Sequence, residues 1–229
     1  MNQACGFDRH PPRHPAIRYN PDMKRIVLVF VMLGLLATTR GAPRVATPKY
    51  AFIDFGQSNA FKISKDLQAA LTAKYGPATL LILCTKGSTP IADFVKDTPI
   101  YRSCLTKIRA AVAKGYVVAK FFMYQGEQDT YTSGLTSRYW EDQFLKIVSD
   151  LRADSGSPFQ VYIFQIGENP HPTHLGWSIV QRSQQQTVID HPDFTLISTM
   201  GVPLCPPNGP HHCPEGYKTI TNRLLAVLR

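Results

Sequence analysis

The sequence predicts an α/β fold in which helices cover both faces of a parallel sheet. Three observations carry this expectation. From residue 50 onward, short apolar runs of a length suited to buried strands alternate with longer segments of helical character. Glycine and proline mark the junctions, as in Gly76-Pro77, Gly115 and His191-Pro192. Small or polar residues follow strand after strand, at the sheet edge where ligands of open α/β sheets bind.

Tyr50 to Phe55 is expected as the first strand. It breaks at Gly56 and leads through Gln57, Ser58 and Asn59 into a helix from Ala60 to Tyr75, stopped by Gly76-Pro77. Thr79 to Cys84 reads as a second buried strand, ending in the turn Lys86-Gly87-Ser88-Thr89-Pro90. Pro99 to Lys114 reads as a helix with Ile100, Cys104, Ile108, Ala111 and Val112 on one face. Tyr116 to Tyr124 is the third strand and runs into Gln125-Gly126-Glu127-Gln128-Asp129. Helices are expected over Ser137 to Ala153, Leu175 to Ile189 and Pro214 to Leu228, with strands over Phe159 to Ile166 and Phe194 to Thr199. No internal repeat and no second domain are visible, so residues 50–229 are expected as one domain.

Composition bounds the function. The net charge of +9 is unevenly placed: residues 1–49 hold 8 basic and 2 acidic side chains, so most of the excess lies there. The domain is therefore not read as a nucleic-acid binder. Lys24 and Arg25 precede an apolar run of 12 residues, Ile26 to Ala37, which is short for a bilayer span and suits the core of a signal peptide. Residues 23–42 are expected as a signal peptide, or as an uncleaved anchor that would be the only contact with a membrane. Residues 1–22, rich in Pro, His and Arg, read as a disordered extension. Either way the domain is expected outside the cytoplasm, secreted or periplasmic. Cys5 precedes this segment, and Cys84, Cys104, Cys205 and Cys213 make an even set behind it, as in exported domains. Three pairings are possible. Joining near neighbours in sequence gives Cys84–Cys104 and Cys205–Cys213. No Cys-x-x-Cys occurs and the histidines lack metal-ligand spacing, so neither a metal nor a cofactor is expected.

The chemistry concentrates at one sheet edge. A serine on a tight turn between a buried strand and a helix exposes its hydroxyl there, and its backbone N–H lies at the positive end of the helix. Acyl transfer needs such a nucleophile, a base to take its proton, and donors for the oxyanion. Ser58 fits the first role. His211 or His212, just before the last helix, fits the second. The N–H groups of Ser58 and Gly87 and the Gln125 amide fit the third. Taken singly, each has an ordinary account as a cap, turn or loop residue.

Gly56-Gln57-Ser58-Asn59, Lys86 to Ile91, Tyr124-Gln125-Gly126-Glu127-Gln128-Asp129, and His211 with Pro214-Glu215-Gly216-Tyr217 together resemble the blocks of SGNH hydrolases. More narrowly they resemble the sialate O-acetylesterase-like branch, which includes acetylxylan esterases. The resemblance spans about residues 50–229. It implies a flavodoxin-like three-layer α/β/α domain that removes acetyl groups from carbohydrate. It implies Ser58 as nucleophile, His211 as general base, and Gly87 and Gln125 as oxyanion donors beside the Ser58 N–H. Gln57, Asn59, Glu127 and Asp129 are expected in substrate-orienting or structural roles. The lack of Gly-x-Ser-x-Gly at Ser58 sets the chain apart from α/β-hydrolases. One departure stands out: where the family has an Asp three residues before the histidine, this chain has Asn208. An amide can fix the histidine's tautomer but supplies no charge, and losing a triad carboxylate costs on the order of 10⁴ in kcat. Asp129 or Glu127 are the candidate substitutes. The alternative is a relative that binds carbohydrate without catalysis.

Overall fold

A computed structural model of the protein describes residues 48–170, 175–205 and 209–228. The expected N-terminal extension and signal segment, and Asn208, lie outside the described residues. Five parallel strands form the sheet: β1 (Lys49–Gly56), β2 (Thr79–Thr85), β3 (Tyr116–Tyr124), β4 (Gln160–Phe164) and β5 (Phe194–Ile197), in the order β2-β1-β3-β4-β5. Five helices alternate with them: α1 (Ser58–Tyr75), α2 (Pro99–Ala113), α3 (Ser137–Ser155), α4 (Leu175–Asp190) and α5 (Pro214–Val227).

The sheet separates two apolar layers. Phe52, Phe122, Tyr162 and Phe164 meet Ile63, Leu67 and Leu71 of α1 and Ile220 and Leu224 of α5 on one face. Ile53, Phe55, Phe121 and Ile163 meet Ile108 of α2, Trp140 and Phe144 of α3, and Val180 of α4 on the other. This is the expected three-layer α/β/α arrangement. Burial on both faces explains why the strands read as nearly unbroken apolar runs. Strand order reverses between β1 and β3, because β2 lies to one side of β1 and all later strands to the other. The crevice at the carboxyl ends of β1 and β3 is the switch point where such sheets bind ligands.

The elements follow the sequence expectation, with differences at their ends. The first helix begins at Ser58, two residues before its expected start, so Ser58 belongs to its first turn. The last two strands are shorter than expected, because side chains replace the ladder there. The Ile166 N–H donates to Gln184 Oε1 at 2.9 Å, and Thr199 Oγ1 donates to the Gln165 carbonyl at 2.7 Å. A 3-10 turn over Ile91–Phe94, unforeseen in the sequence, seats Ile91 and Phe94 in the core. Cys84 at the end of β2 is joined to Cys104 of α2, as expected. Among the described residues no helix is long and apolar enough to cross a membrane.

Candidate active site

The site begins where β1 ends. Gly56 has φ of +142°, and a Cβ there would lie 2.1 Å from the Tyr124 carbonyl oxygen, so only glycine lets the two strand ends approach this closely. The same carbonyl accepts the Gln57 N–H at 3.1 Å. The chain then turns into α1 with Ser58 at its start, where the first backbone N–H groups have no partner within the helix. Lys86 N–H donates to the Gly56 carbonyl at 2.9 Å, which brings the turn after β2 alongside. A side chain at Gly87 would sit 3.8 Å from the Ser58 Cβ, so the Gly87 backbone borders the serine.

His211 arrives from the far end of the chain. Its Nε2 lies 2.9 Å from Ser58 Oγ. The segment carrying it is held by an antiparallel bridge between Leu204 and His212 and by the Cys205 N–H donating to the His211 carbonyl at 2.6 Å. Burial, and then the charge of Lys62, hold the His211 imidazole below its ordinary pKa, so at neutral pH the ring is in its proton-accepting form.

Asn59 knits these pieces together. Its amide donates to Glu127 Oε1 at 2.7 Å and to the Pro210 carbonyl at 2.8 Å, and its oxygen accepts from the Tyr217 hydroxyl at 2.6 Å. One buried amide thus ties the start of α1 to the histidine segment, to the loop after β3 and to α5. Gln57 Oε1 accepts the Gln128 N–H at 3.3 Å, a second tie to that loop.

The two carboxylates after β3 part company. Asp129 is buried and engaged, accepting the Ile91 N–H at 3.0 and 3.1 Å as well as the Gln125 amide. Glu127 lines the same cleft as Ser58 and His211, and its Oε2 is buried without a hydrogen-bond partner among the described residues. Burial pushes Glu127 up to about 7 and Asp129 up to about 6.

Two expectations are corrected. Gln125 does not present its amide to Ser58. It is wholly buried, its NH₂ group donates to Asp129 and to the Thr89 carbonyl, and its oxygen accepts from the Trp140 indole at 2.7 Å. Both amide hydrogens are spoken for, so this side chain has no donor left for an oxyanion. The expected Cys205–Cys213 disulfide is not formed either, and both are thiols. The bridge that pairs Leu204 with His212 sets the two cysteines diagonally rather than directly opposite. The Cys213 thiol donates to the Leu204 carbonyl at 3.6 Å, and the neighbouring Cys205 thiol, with burial, pushes Cys213 up to about 11.

The cleft above Ser58 has a volume of about 320 Å³, and its walls include Glu127, Tyr131, Trp177 and Pro210. Trp177 is buried and fixed by its indole N–H on the Gly167 carbonyl at 2.8 Å, and the Tyr131 ring is exposed at the rim. Sequence reading missed this aromatic wall. Its one signal was a tryptophan in the first turn of the fourth long helix, and α1 to α3 all have an aromatic residue near their starts as well. A second cleft of about 530 Å³, beside the histidine segment, is lined by Lys62, Lys65, Lys218 and Asp66 among others. A larger one of about 690 Å³ lies at the opposite edge of the sheet, around Arg152, Phe159 and Asp193, and contains neither Ser58 nor His211.

Comparison with known proteins agrees with this fold. No curated protein matches the chain. Among solved structures, a protein from Arabidopsis thaliana is similar at 14% identity with a TM-score of 0.65, covering 78% of this chain and 97% of that one. A carbohydrate acetylesterase from Xanthomonas citri is similar at 15% identity and a TM-score of 0.55, covering 71% of this chain but only 39% of that one. A carbohydrate esterase family 3 protein from Talaromyces cellulolyticus is similar at 9% identity and a TM-score of 0.58, covering 76% and 94%. At these identities the likeness is one of fold. The family described as carbohydrate esterase, sialic acid-specific acetylesterase, matches residues 46–228, nearly all of the α/β unit that holds Ser58 and His211 together, and the chain belongs to that family.

Proposed function

We propose that this protein is a serine esterase that removes O-acetyl groups from carbohydrate, with Ser58 as nucleophile and His211 as general base. The observation that carries the reading is the 2.9 Å contact between Ser58 Oγ and His211 Nε2 at the switch point of the sheet. Ser58 Oγ attacks the acetyl carbonyl carbon while Nε2 takes the hydroxyl proton. The Ser58 and Gly87 N–H groups receive the charge that develops on the carbonyl oxygen. The sugar oxygen leaves with the proton returned by His211, and water, activated by the same nitrogen, releases acetate from the acyl-serine. Asn208 is the histidine's amide partner in this reading, and Glu127 is the carboxylate that faces the cleft.

The aromatic wall of Tyr131 and Trp177 suits the apolar face of a sugar ring. The lysine-lined cleft on the His212 side of the histidine segment favours an acidic sugar such as sialate over a neutral acetylated polysaccharide. The Cys84–Cys104 disulfide supports a location outside the cytoplasm.

Ser58→Ala is the direct test. On p-nitrophenyl acetate and on O-acetylated sialic acid, the wild type is expected to turn over. The variant is expected to fall to background with an unchanged circular dichroism spectrum, since a turn hydroxyl contributes little to stability. A wild type no faster than Ser58→Ala, yet still retained by an acetylated glycan column, would favour the binding-only relative instead.

A further inference from the structure

Of the two adjacent histidines, His212 has no place in the chemistry above, yet it is the more deeply buried and the more tightly held. Its Nε2 lies 2.9 Å from the Tyr124 hydroxyl and its Nδ1 lies 3.3 Å from the Pro203 carbonyl. A carbonyl only accepts, so Nδ1 carries the proton, and the lone pair of Nε2 accepts the Tyr124 O–H. The ring is packed on several sides. A Cβ on Gly167 would come within 3.1 Å of its Cε1, a Cβ on Gly216 would come within 3.0 Å of its Cβ, and the Tyr217 ring meets it edge-on at 5.7 Å. The ring is therefore gripped by the end of β3, the loops after β4 and β5, and the start of α5.

Tyr124 makes this grip matter. Its backbone carbonyl accepts the Gln57 N–H and so fixes the turn that presents Ser58. Its side chain fixes the residue next to His211. In bridged backbone, successive side chains point to opposite faces, so an inward His212 obliges His211 to face Ser58.

We propose that His212, acting with Tyr124, is a positioning residue that sets the separation of Ser58 and His211, one residue holding both the nucleophile's turn and the base's segment. This rests on the esterase reading. A misplacement of about 1 Å in such a pair costs on the order of 100-fold in rate.

The test uses the full chain and p-nitrophenyl acetate, with Ser58→Ala as the background. His212→Phe and Tyr124→Phe are each expected to lower kcat about 10- to 100-fold with KM within twofold. The double variant should be no slower than the worse single one, because the two residues act as one unit. His212→Gln, which keeps an amide within reach of Tyr124, should recover most of the rate. Full activity in both single variants, additive losses, or a loss that appears only as a raised KM would overturn the proposal. A wild type no faster than Ser58→Ala defeats the esterase reading itself, and NMR titration of the His211 ring then reads the coupling without turnover. Both phenylalanine variants should move the His211 pKa up toward the ordinary 6.5 as the segment loosens, and an unmoved titration overturns the proposal on that ground.

Discussion

Glu127 and His211 share a cleft and are driven in opposite directions by the same cause. Burial favours the neutral form of each, raising the carboxyl to about 7 and lowering the imidazole. Above about pH 7 the cleft therefore holds a neutral imidazole and a carboxylate, the pairing that in the proposed reaction favours an imidazolium as Ser58 attacks the ester. The ester-hydrolysis rate is expected to rise with pH along two limbs, one below 6.5 from His211 and one centred near 7 from Glu127. Glu127→Gln should erase the upper limb and lower kcat about 100-fold or more, toward the cost of a lost triad carboxylate. A pH–rate profile checks this. If the upper limb survives the substitution, Glu127 only braces Asn59, a duty the glutamine amide oxygen can also perform. Sequence reading offered Glu127 and Asp129 as equals, since both follow the same strand. Only the fold separates them, by giving Asp129 to the Ile91 N–H and the Gln125 amide.

At the level of elements, β2 is an edge strand, and its free side is finished by its own helices. Gln68 of α1 accepts the Leu81 N–H at 2.9 Å and donates to the Thr79 carbonyl at 3.3 Å, while Lys107 of α2 donates to the Leu83 carbonyl at 2.6 Å. These side chains occupy backbone groups that would otherwise recruit another strand. The Cys84–Cys104 bridge, with a sequence separation of 20, fastens α2 to this same edge. Closing a loop of that size contributes about 3 kcal/mol. The double variant Cys84→Ala, Cys104→Ala is expected to unfold at a lower urea concentration, with an m-value somewhat larger than that of the wild type because its denatured chain is no longer cross-linked. A midpoint equal to that of the oxidised wild type would mean that the bridge adds nothing to the docking of α2. The near-neighbour rule for cysteines succeeded here because a strand and the helix that returns over it are adjacent in space. It failed for Cys205 and Cys213 because the local pairing register, which a separation in sequence does not reveal, sets those two diagonally.

For the whole molecule, the buried carboxyls give stability an unusual pH dependence. Asp54 lies in β1, fully buried, with neither oxygen hydrogen-bonded among the described residues, and burial raises its pKa well above the ordinary carboxyl value. Glu127 and Asp129 are raised as well. A carboxyl whose folded pKa exceeds its unfolded one binds its proton more tightly in the folded state. Its stabilisation is full below the unfolded pKa and is lost as pH rises through the folded value. The buried histidines act oppositely, but only below about 6.5, where the unfolded rings take up protons. Above 6.5 the carboxyls act alone, so Tm is expected to fall between pH 6.5 and 8. Asp54→Asn should raise Tm at pH 8 and flatten the decline, as calorimetry across that range would show. A wild-type Tm that climbs from 6.5 to 8 would refute this account of the buried carboxyls.

By itself the sequence determined the elements and their layering, because these follow from local causes. Apolar runs of strand length, helical periodicity between them and Gly or Pro at the junctions leave a two-sided parallel sheet as the arrangement that buries them all. It also singled out Ser58 and the pair His211 and His212, because a serine turn after a buried strand and a histidine before the last helix both belong at the carboxyl edge, and the family resemblance pointed to His211. The tertiary structure alone decided the direction of each side chain at that edge. Gln125 turns inward because Asp129, Thr89 and Trp140, brought from three other places in the chain, satisfy its amide there. His211 rather than His212 faces the serine because Leu204, eight residues before His212, pairs with it and Tyr124 takes its ring inward. Such choices rest on contacts between residues far apart in sequence, each a matter of about an ångström, and no local pattern of residues encodes them.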